Sequence, residues 1–416
     1  MATATALERR ISSTDIQGLS ARFREPEWLR AFRLRAWQTY EQLPEPHPHD
    51  DVWRWVAPSY RDVAKFPLAE RVALQVDGAT GAQGVVVADL AAALARQPAL
   101  FQSHFMQRAI TLSDGKLQAL HAACMNGAAL VYVPRNVQLD QPVRLQWTLD
   151  NAGRSYFPHL LVIAEEGSQV CVIEEFVSPP GAPLVTVAGT EIIVGNGAHV
   201  TYGTVQAPGS GATHFGFQRM VLGRDARAQS VLLAMGSALA RQQIEAVAEE
   251  PGSSSELLGF RVGKGDQQCH VVSLQDHRAS NTTSDLMFKS ALHDAAQASY
   301  YGTIRIHKDA QKCNAYQQDR NLLLGEHARA NSTPVLEIEA DDVRCTHGVS
   351  VGPVDDEQLF YLRSRGIPPE LAQTMLVYGF FEEAIDRIKE PVLRELCAQR
   401  LAAAVGALDL APGEDV

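Results

Sequence analysis

The sequence predicts a mainly β chain, a β-solenoid core flanked by helical ends, and three observations carry that prediction. Apolar residues recur at helical spacing near both termini. Short runs rich in Val, Ile, Leu and Thr fill the middle, and several of those runs start after the same kind of turn. The divisions fall at 1–125 (N-terminal, mainly helical), 126–350 (solenoid core) and 351–416 (C-terminal, helical). A chain of 416 residues is too long for one compact core, so two or three structural units are expected.

In EPEWLRAFRLRAWQTYEQLP, Trp28, Leu29, Phe32, Ala36, Trp37 and Tyr40 form one apolar face, with Pro26 at the start and Pro44 just past the end. His47 and His49 follow in PEPHPHDD, where alternating prolines favour an extended, solvated loop over a metal site. VADLAAALARQPALFQSHFM predicts another helical segment after a Gly-rich turn. From about residue 126, strand-like runs include LVYVPRNVQL, HLLVIAEEGSQVCVIEE, TEIIVGNGAHVTYGTV, ELLGFRVGKGDQQCHVVSL and PVLEIEADDVRC. Their turns share a pattern, seen in EEGSQV, GNGAHV, GRDARAQSV and KDAQKCNAY: a charged or Gly/Asn turn, a small residue, then a strand. Such units suit solenoid coils, each burying its face on its neighbours. Hairpin signals do not separate strand after strand, which favours the solenoid over a sandwich.

The last section is helical again. Asp355 and Asp356 complement a helix N-terminus through DDEQLFYLRSR, and Gly366 ends that helix. Pro368 and Pro369 precede ELAQTMLVYGFF, and Ile385, Ile388, Val392, Leu393, Leu396 and Leu401 form a further stripe. These faces are expected to pack on the solenoid end, and any part left exposed would be a docking surface.

Composition narrows the function classes. A net charge of -11 opposes nucleic-acid binding. No run of about 18 apolar residues is present, so no membrane span is expected. MATATALERRISSTD has no apolar core of the signal-peptide kind, and the six cysteines, 124, 171, 269, 313, 345 and 397, are widely spaced. Reduced thiols in the cytoplasm are the expectation. GFRVGKGD at 259–266 is not a phosphate loop, because only three residues separate its first two glycines and no Ser or Thr follows Lys264. No pair of carboxylates stands out as an acid and base.

DDVRCTHGVSVG, residues 341–352, is the stretch with metal-ligand chemistry. On a strand, positions i and i+2 share a side, so the Cys345 thiol and the His347 imidazole could face one metal. Sulfur with imidazole suits zinc, copper or iron. A thiol of ordinary pKa is only roughly 3 per cent thiolate at neutral pH, so a cation or metal must favour the ligating form. Two ligands are half of a site, since a cluster or tetrahedral ion takes about four. The spacing alone favours a buried cysteine and a turn histidine bonded to backbone.

Three stretches, DHRASNTTSDLMFKSAL, AQKCNAYQQDRNLLLGEHARANSTPVLEIEADDVRCTHGVSVGPVDDEQLFYLRSRGI and LVYGFFEEAIDRI, resemble the SufB/SufD family of iron–sulfur cluster assembly proteins. Fainter likeness covers most of the chain. Its length, its CxHG motif and APGSGATHFGFQRM, where the SufB branch has a Trp- and Tyr-rich stretch, make it similar to the SufD branch. The resemblance implies a right-handed parallel β-helix between helical regions. It also implies a non-catalytic scaffold subunit of a SufB–SufC–SufD complex, pairing with a SufB-like subunit through the β-helix. A SufC-like ABC ATPase would dock on the C-terminal helices, and this chain would bind no nucleotide. The nascent cluster would lie at the shared interface, with His347 in the place of the family's proposed ligand. Cys345 would be a ligand, a contact residue or structural. Cys313 is expected in the core. Two rivals accompany this reading: a SufB-like subunit holding a cluster as a homodimer, and a polysaccharide-active β-helix enzyme. The second usually shows an export signal and clustered Asp, neither of which is evident here.

Overall fold

The computed structural model describes residues 11–56, 63, 66–78 and 84–408. The first ten residues, and residues 79–83 within the expected Gly-rich turn, lie outside the described residues. Helix α1 (Ser13–Arg22) starts on a Ser12–Asp15 capping box, and α2 (Glu27–Gln42) follows Pro26. Leu29, Phe32, Ala36, Trp37 and Tyr40 of α2 are buried, as their spacing predicts. Arg33, also buried, is held by Glu25 and by the Ala123 carbonyl. His47 and His49 lie in a turn, where the His49 N–H donates to His47 Nδ1 at 3.1 Å.

The helix expected over VADLAAALARQPALFQSHFM is two helices. After the short strands β1 (Ala73–Asp77) and β2 (Val86–Asp89) come α3 (Leu90–Arg96) and α4 (Pro98–His104). Gln97 breaks them at φ -137°, ψ 47°, because a proline pushes the residue before it out of helical geometry. Helix α5 (Lys116–Cys124) has every residue buried, so no polar face betrays it in the sequence.

The solenoid strands are β3 (Gly127–Val133), β4 (Val143–Thr148), β5 (Ser155–Tyr156), β6 (Pro158–Ala164), β7 (Gln169–Val177), β8 (Leu184–Val194), β9 (His199–Ala207) and β10 (Ala212–Leu222). They continue as β11 (Arg227–Met235), β12 (Leu239–Ala248), β13 (Ser254–Gly263), β14 (Gln268–His277) and β15 (Thr283–Leu292). The last four are β16 (Gln297–Ile306), β17 (Asn314–Leu323), β18 (Arg329–Ile338) and β19 (Arg344–Gly352). They stack in two sheets, β1-β4-β7-β9-β11-β13-β15-β17-β19 and β18-β16-β14-β12-β10-β8-β6-β3-β2, with β5 on β8. Pairing is parallel except at one end, where β1 and β2 lie antiparallel on β4 and β3. GFRVGKGD is the end of β13 and its turn, and it leads into strand β14 rather than a helix.

The recurring turn has a physical basis. Gly167, Gly197, Asp225, Asn281 and Lys312 adopt positive φ, and the next residue in each case, Ser168, Ala198, Ala226, Thr282 or Cys313, is buried. The left-handed residue reverses the chain, and only a small side chain fits beneath the bend. Cys313 occupies that slot and shares a hydrogen bond with Thr282 at 3.0 Å, which is the core role expected of it.

Helices α6 (Asp356–Ser364), α7 (Pro369–Ile385) and α8 (Pro391–Gly406) complete the fold, with Asp355 capping the Gln358 N–H and Gly366 at φ 83° past α6. They pack on the flank of the solenoid, not on its end as the sequence suggests. Ile385, Ile388, Leu393 and Leu401 bury against Ile173, Val205, Leu233 and Phe260, on the outer face of the β19 sheet. Outward-facing apolar residues on successive coils supply that seat. Among the described residues no helix is long and apolar enough to cross a membrane.

Candidate functional site at the open end of the solenoid

Strands β18 and β19 are the edges at the C-terminal end of the solenoid. Register fixes which of their side chains point inward. Cys345, His347, Val349 and Val351 lie opposite Ala315, Gln317, Asp319 and Asn321, all buried on β17. Leu336 and Ile338 likewise follow Ile304 and Ile306 of β16, which are 0% exposed, yet are themselves 37% and 40% exposed. Val349 and Val351 are exposed too. The terminal coil therefore presents a layer of core side chains to solvent. Open sheet edges and bare apolar core therefore lie side by side, the combination that another chain can cover.

Cys345 and His347 sit in this layer on one face of β19, as their spacing predicts. The imidazole is exposed, while the thiol is half-buried against Cys313, Ala310 and Ala340. Burial, and then the neighbouring Cys313, raise the Cys345 pKa, and the Ala315 backbone opposes the rise. The resting group is thus the thiol, a poor ligand until a metal displaces its proton. Among the described residues no three His, Cys, Asp or Glu side chains converge as a metal site.

One coil further in, the lumen is polar. The Arg261 guanidinium pairs with Asp319, which also accepts from Asn321 at 2.8 Å and from Ser332. Tyr300 donates to Gln317 at 3.1 Å, directly beneath His347 in register. These buried polar groups stiffen the floor of the mouth, since each would be costly to leave unpaired.

A second exposed apolar surface lies on the C-terminal helices. Phe360 is 74% exposed, and Tyr361, Leu371 and Met375 are exposed beside it on α6 and α7. The sequence pattern marks the apolar stripes here but not which residues stay uncovered. The mouth residues Leu336, Ile338, Val349 and Val351 carry no distinguishing signal in the sequence either, because their alternation looks the same as that of an inner coil.

Comparison with known proteins shows the family. The family model described as the SufBD core domain of SUF system FeS cluster assembly matches residues 147–380. The model of the SufBD protein N-terminal region matches residues 70–145. An iron–sulfur cluster assembly protein SufD from Bacillus subtilis is 30% identical over 408 residues, spanning 90% of this chain and 93% of its own. SufBD family proteins of iron–sulfur cluster assembly from Staphylococcus saprophyticus and Staphylococcus haemolyticus are 26% and 27% identical, each over 90% of this chain.

Proposed function

The chain belongs to the SufB/SufD family of iron–sulfur cluster assembly proteins, most like SufD, and from that premise we propose that it is a non-catalytic scaffold subunit. Its open solenoid end pairs with a SufB-like subunit, and its C-terminal helices dock a SufC-like ATPase. The nascent cluster, the cargo of the complex, forms at the shared end with His347 as a ligand and Cys345 as a second candidate. The observation that carries this reading is the bare core layer of the terminal coil, with His347 and Cys345 set among Leu336, Ile338, Val349 and Val351.

The chemistry is one of incomplete coordination. His347 offers imidazole at the surface and Cys345 offers sulfur behind it, and two donors leave an iron half-coordinated. A partner solenoid end brings the remaining donors and covers the apolar rim, which excludes water from the assembling cluster. The phi-positive turn after β13 supplies no phosphate cradle, so nucleotide turnover falls to the docked ATPase.

Co-expression with a SufB-like and a SufC-like partner, followed by purification and analysis for iron and sulfide, tests the reading. A ternary complex that carries a cluster, with little iron on the lone chain, is expected. Failure to retain either partner would sink it. A homodimer that holds a cluster unaided would favour the SufB-like alternative.

A further inference from the structure

Where the start of helix α8 meets the outer face of the β19 sheet there is a cleft of about 250 Å³. Register lays out its floor. Gln169 of β7, His199 of β9 and Arg227 of β11 are aligned on neighbouring strands, and Cys171, Thr201 and Gln229 follow two residues further along. Residues two apart share a face, so these side chains belong to one side of the sheet, opposite Lys389 and Glu390.

The chain leading into α8 is held in place. Buried Gln229 accepts the Lys389 N–H at 3.0 Å and donates to the Arg387 carbonyl at 2.9 Å. Arg387 pairs in turn with Glu256 at 2.6 Å and Asp285 at 2.8 Å. The Lys389 ammonium lies 3.6 Å from Glu256, a carboxylate already engaged by Arg387 and by Gln229. Among the described residues Arg227 forms no ion pair, and the side chains of Gln169, His199 and Thr201 form no hydrogen bond. Glu390, the acidic group lining the cleft, turns to its own helix and accepts the Val392 N–H at 3.5 Å. Burial lowers the His199 pKa, Arg227 and Lys389 lower it further, and no carboxylate opposes them. Positive charge therefore converges on this imidazole unbalanced.

We propose that the cleft binds a tetrahedral oxyanion of the phosphate or sulfate kind, held by Arg227, Lys389 and His199, with Gln169 and Thr201 as neutral donors. A guanidinium presents paired N–H groups to two anion oxygens, and an ammonium adds a point charge. The unpaired amides at the start of a 16-residue helix contribute positive potential beside them. Two permanent cations, and a third that gains its proton on binding, match a divalent anion better than a carboxylate. A larger neighbouring cavity of about 670 Å³ shares Leu139 but sets Asp77 and Asp140 beside Arg144, so it lacks this bias. Arg227 and His199 belong to the solenoid and Lys389 to the C-terminal region, so a bound ion staples the start of α8 to two coils.

Histidine-ring NMR of the full chain, with the His199 signal identified by its loss in His199→Gln, tests the site. Inorganic phosphate is titrated against chloride at constant ionic strength and about pH 7. The His199 shift should saturate, and its pKa should rise, because a bound anion favours the imidazolium. Arg227→Gln combined with Lys389→Gln should weaken binding by at least about tenfold, since two charge-assisted contacts are lost. Both side chains are exposed, so this variant should keep the wild-type unfolding temperature in chloride. A parallel titration with O-phosphoserine identifies the source: tighter binding than the free ion assigns the site to a phosphate ester, equal or weaker binding to the inorganic ion. A shift that never saturates, equal shifts at the exposed His47 and His49, or undiminished binding by the double variant would each overturn the proposal.

Discussion

The buried Lys289 ammonium donates to the Glu383 carboxylate at 2.6 Å, joining strand β15 to helix α7. It also donates to the Phe380 carbonyl at 2.6 Å, while Glu383 is half exposed and reaches Arg320 at 3.2 Å. The pair is therefore asymmetric in cost. Lys289→Ala should lose about 2–4 kcal/mol, because a buried charged donor and its packed stem vanish from beneath the helix. Glu383→Gln should cost at most about 1 kcal/mol, since water can replace a half-exposed carboxylate. Chemical denaturation of the two variants checks the ranking, and equal losses would contradict it.

Docking of an ATPase partner predicts a separation of binding from folding. Phe360→Asp combined with Leu371→Asp should leave stability within about 0.5 kcal/mol, because both side chains are already exposed. The same variant should no longer co-purify with the ATPase. Undiminished co-purification would place the docking surface elsewhere.

For His347, thermal unfolding and reconstituted iron must be measured on the same protein. His347→Ala should unfold within about 0.5 kcal/mol of wild type, since its ring is exposed, and should form complex normally. Cluster yield in that complex should drop sharply, while Cys345→Ser should have a smaller or redox-dependent effect. Normal yield in a well-folded His347→Ala complex refutes the shared-ligand role.

Glu174 gives the fold a pH dependence of its own. The carboxyl sits inside the lumen, where burial raises its pKa to about 6 although Tyr202, Trp147 and Thr190 all donate to it. The folded state thus holds the proton more tightly than the unfolded chain. Its contribution is complete below about pH 4.5 and is lost as pH rises through about 6, a swing of about 2 kcal/mol. Subtracting a Glu174→Gln pH–stability curve from that of wild type should isolate this fall. A flat difference curve would contradict it.

Much of the architecture is legible in the residues, for reasons that differ by element. The α2 stripe and the small residue after Gly167, Gly197, Asp225, Asn281 and Lys312 are direct imprints of packing, and both mark their elements. Strand β17 is harder, because NAYQQDRNLL places Gln317, Asp319 and Asn321 inside the lumen, where Tyr300 and Arg261 satisfy the first two. A polar interior that is internally bonded looks like a surface in the sequence. The site divides the same way. Two-residue spacing sets Cys345 and His347 on one face, whereas their exposure comes from a coil that never forms above them, and no local pattern encodes that.

The two ends of the solenoid are unlike, and this limits how far such chains can assemble. At one end the short strands β1 and β2 turn against the parallel run and break the template, while β18 and β19 leave it intact at the other. Rods joined end to end can grow into fibres only if every new unit brings a fresh acceptor. Under the proposed pairing, a first union would consume the one intact template end among the described residues of each chain. Stacking would then stop at two, so a core-like surface would be available for pairing without the hazard of polymerisation.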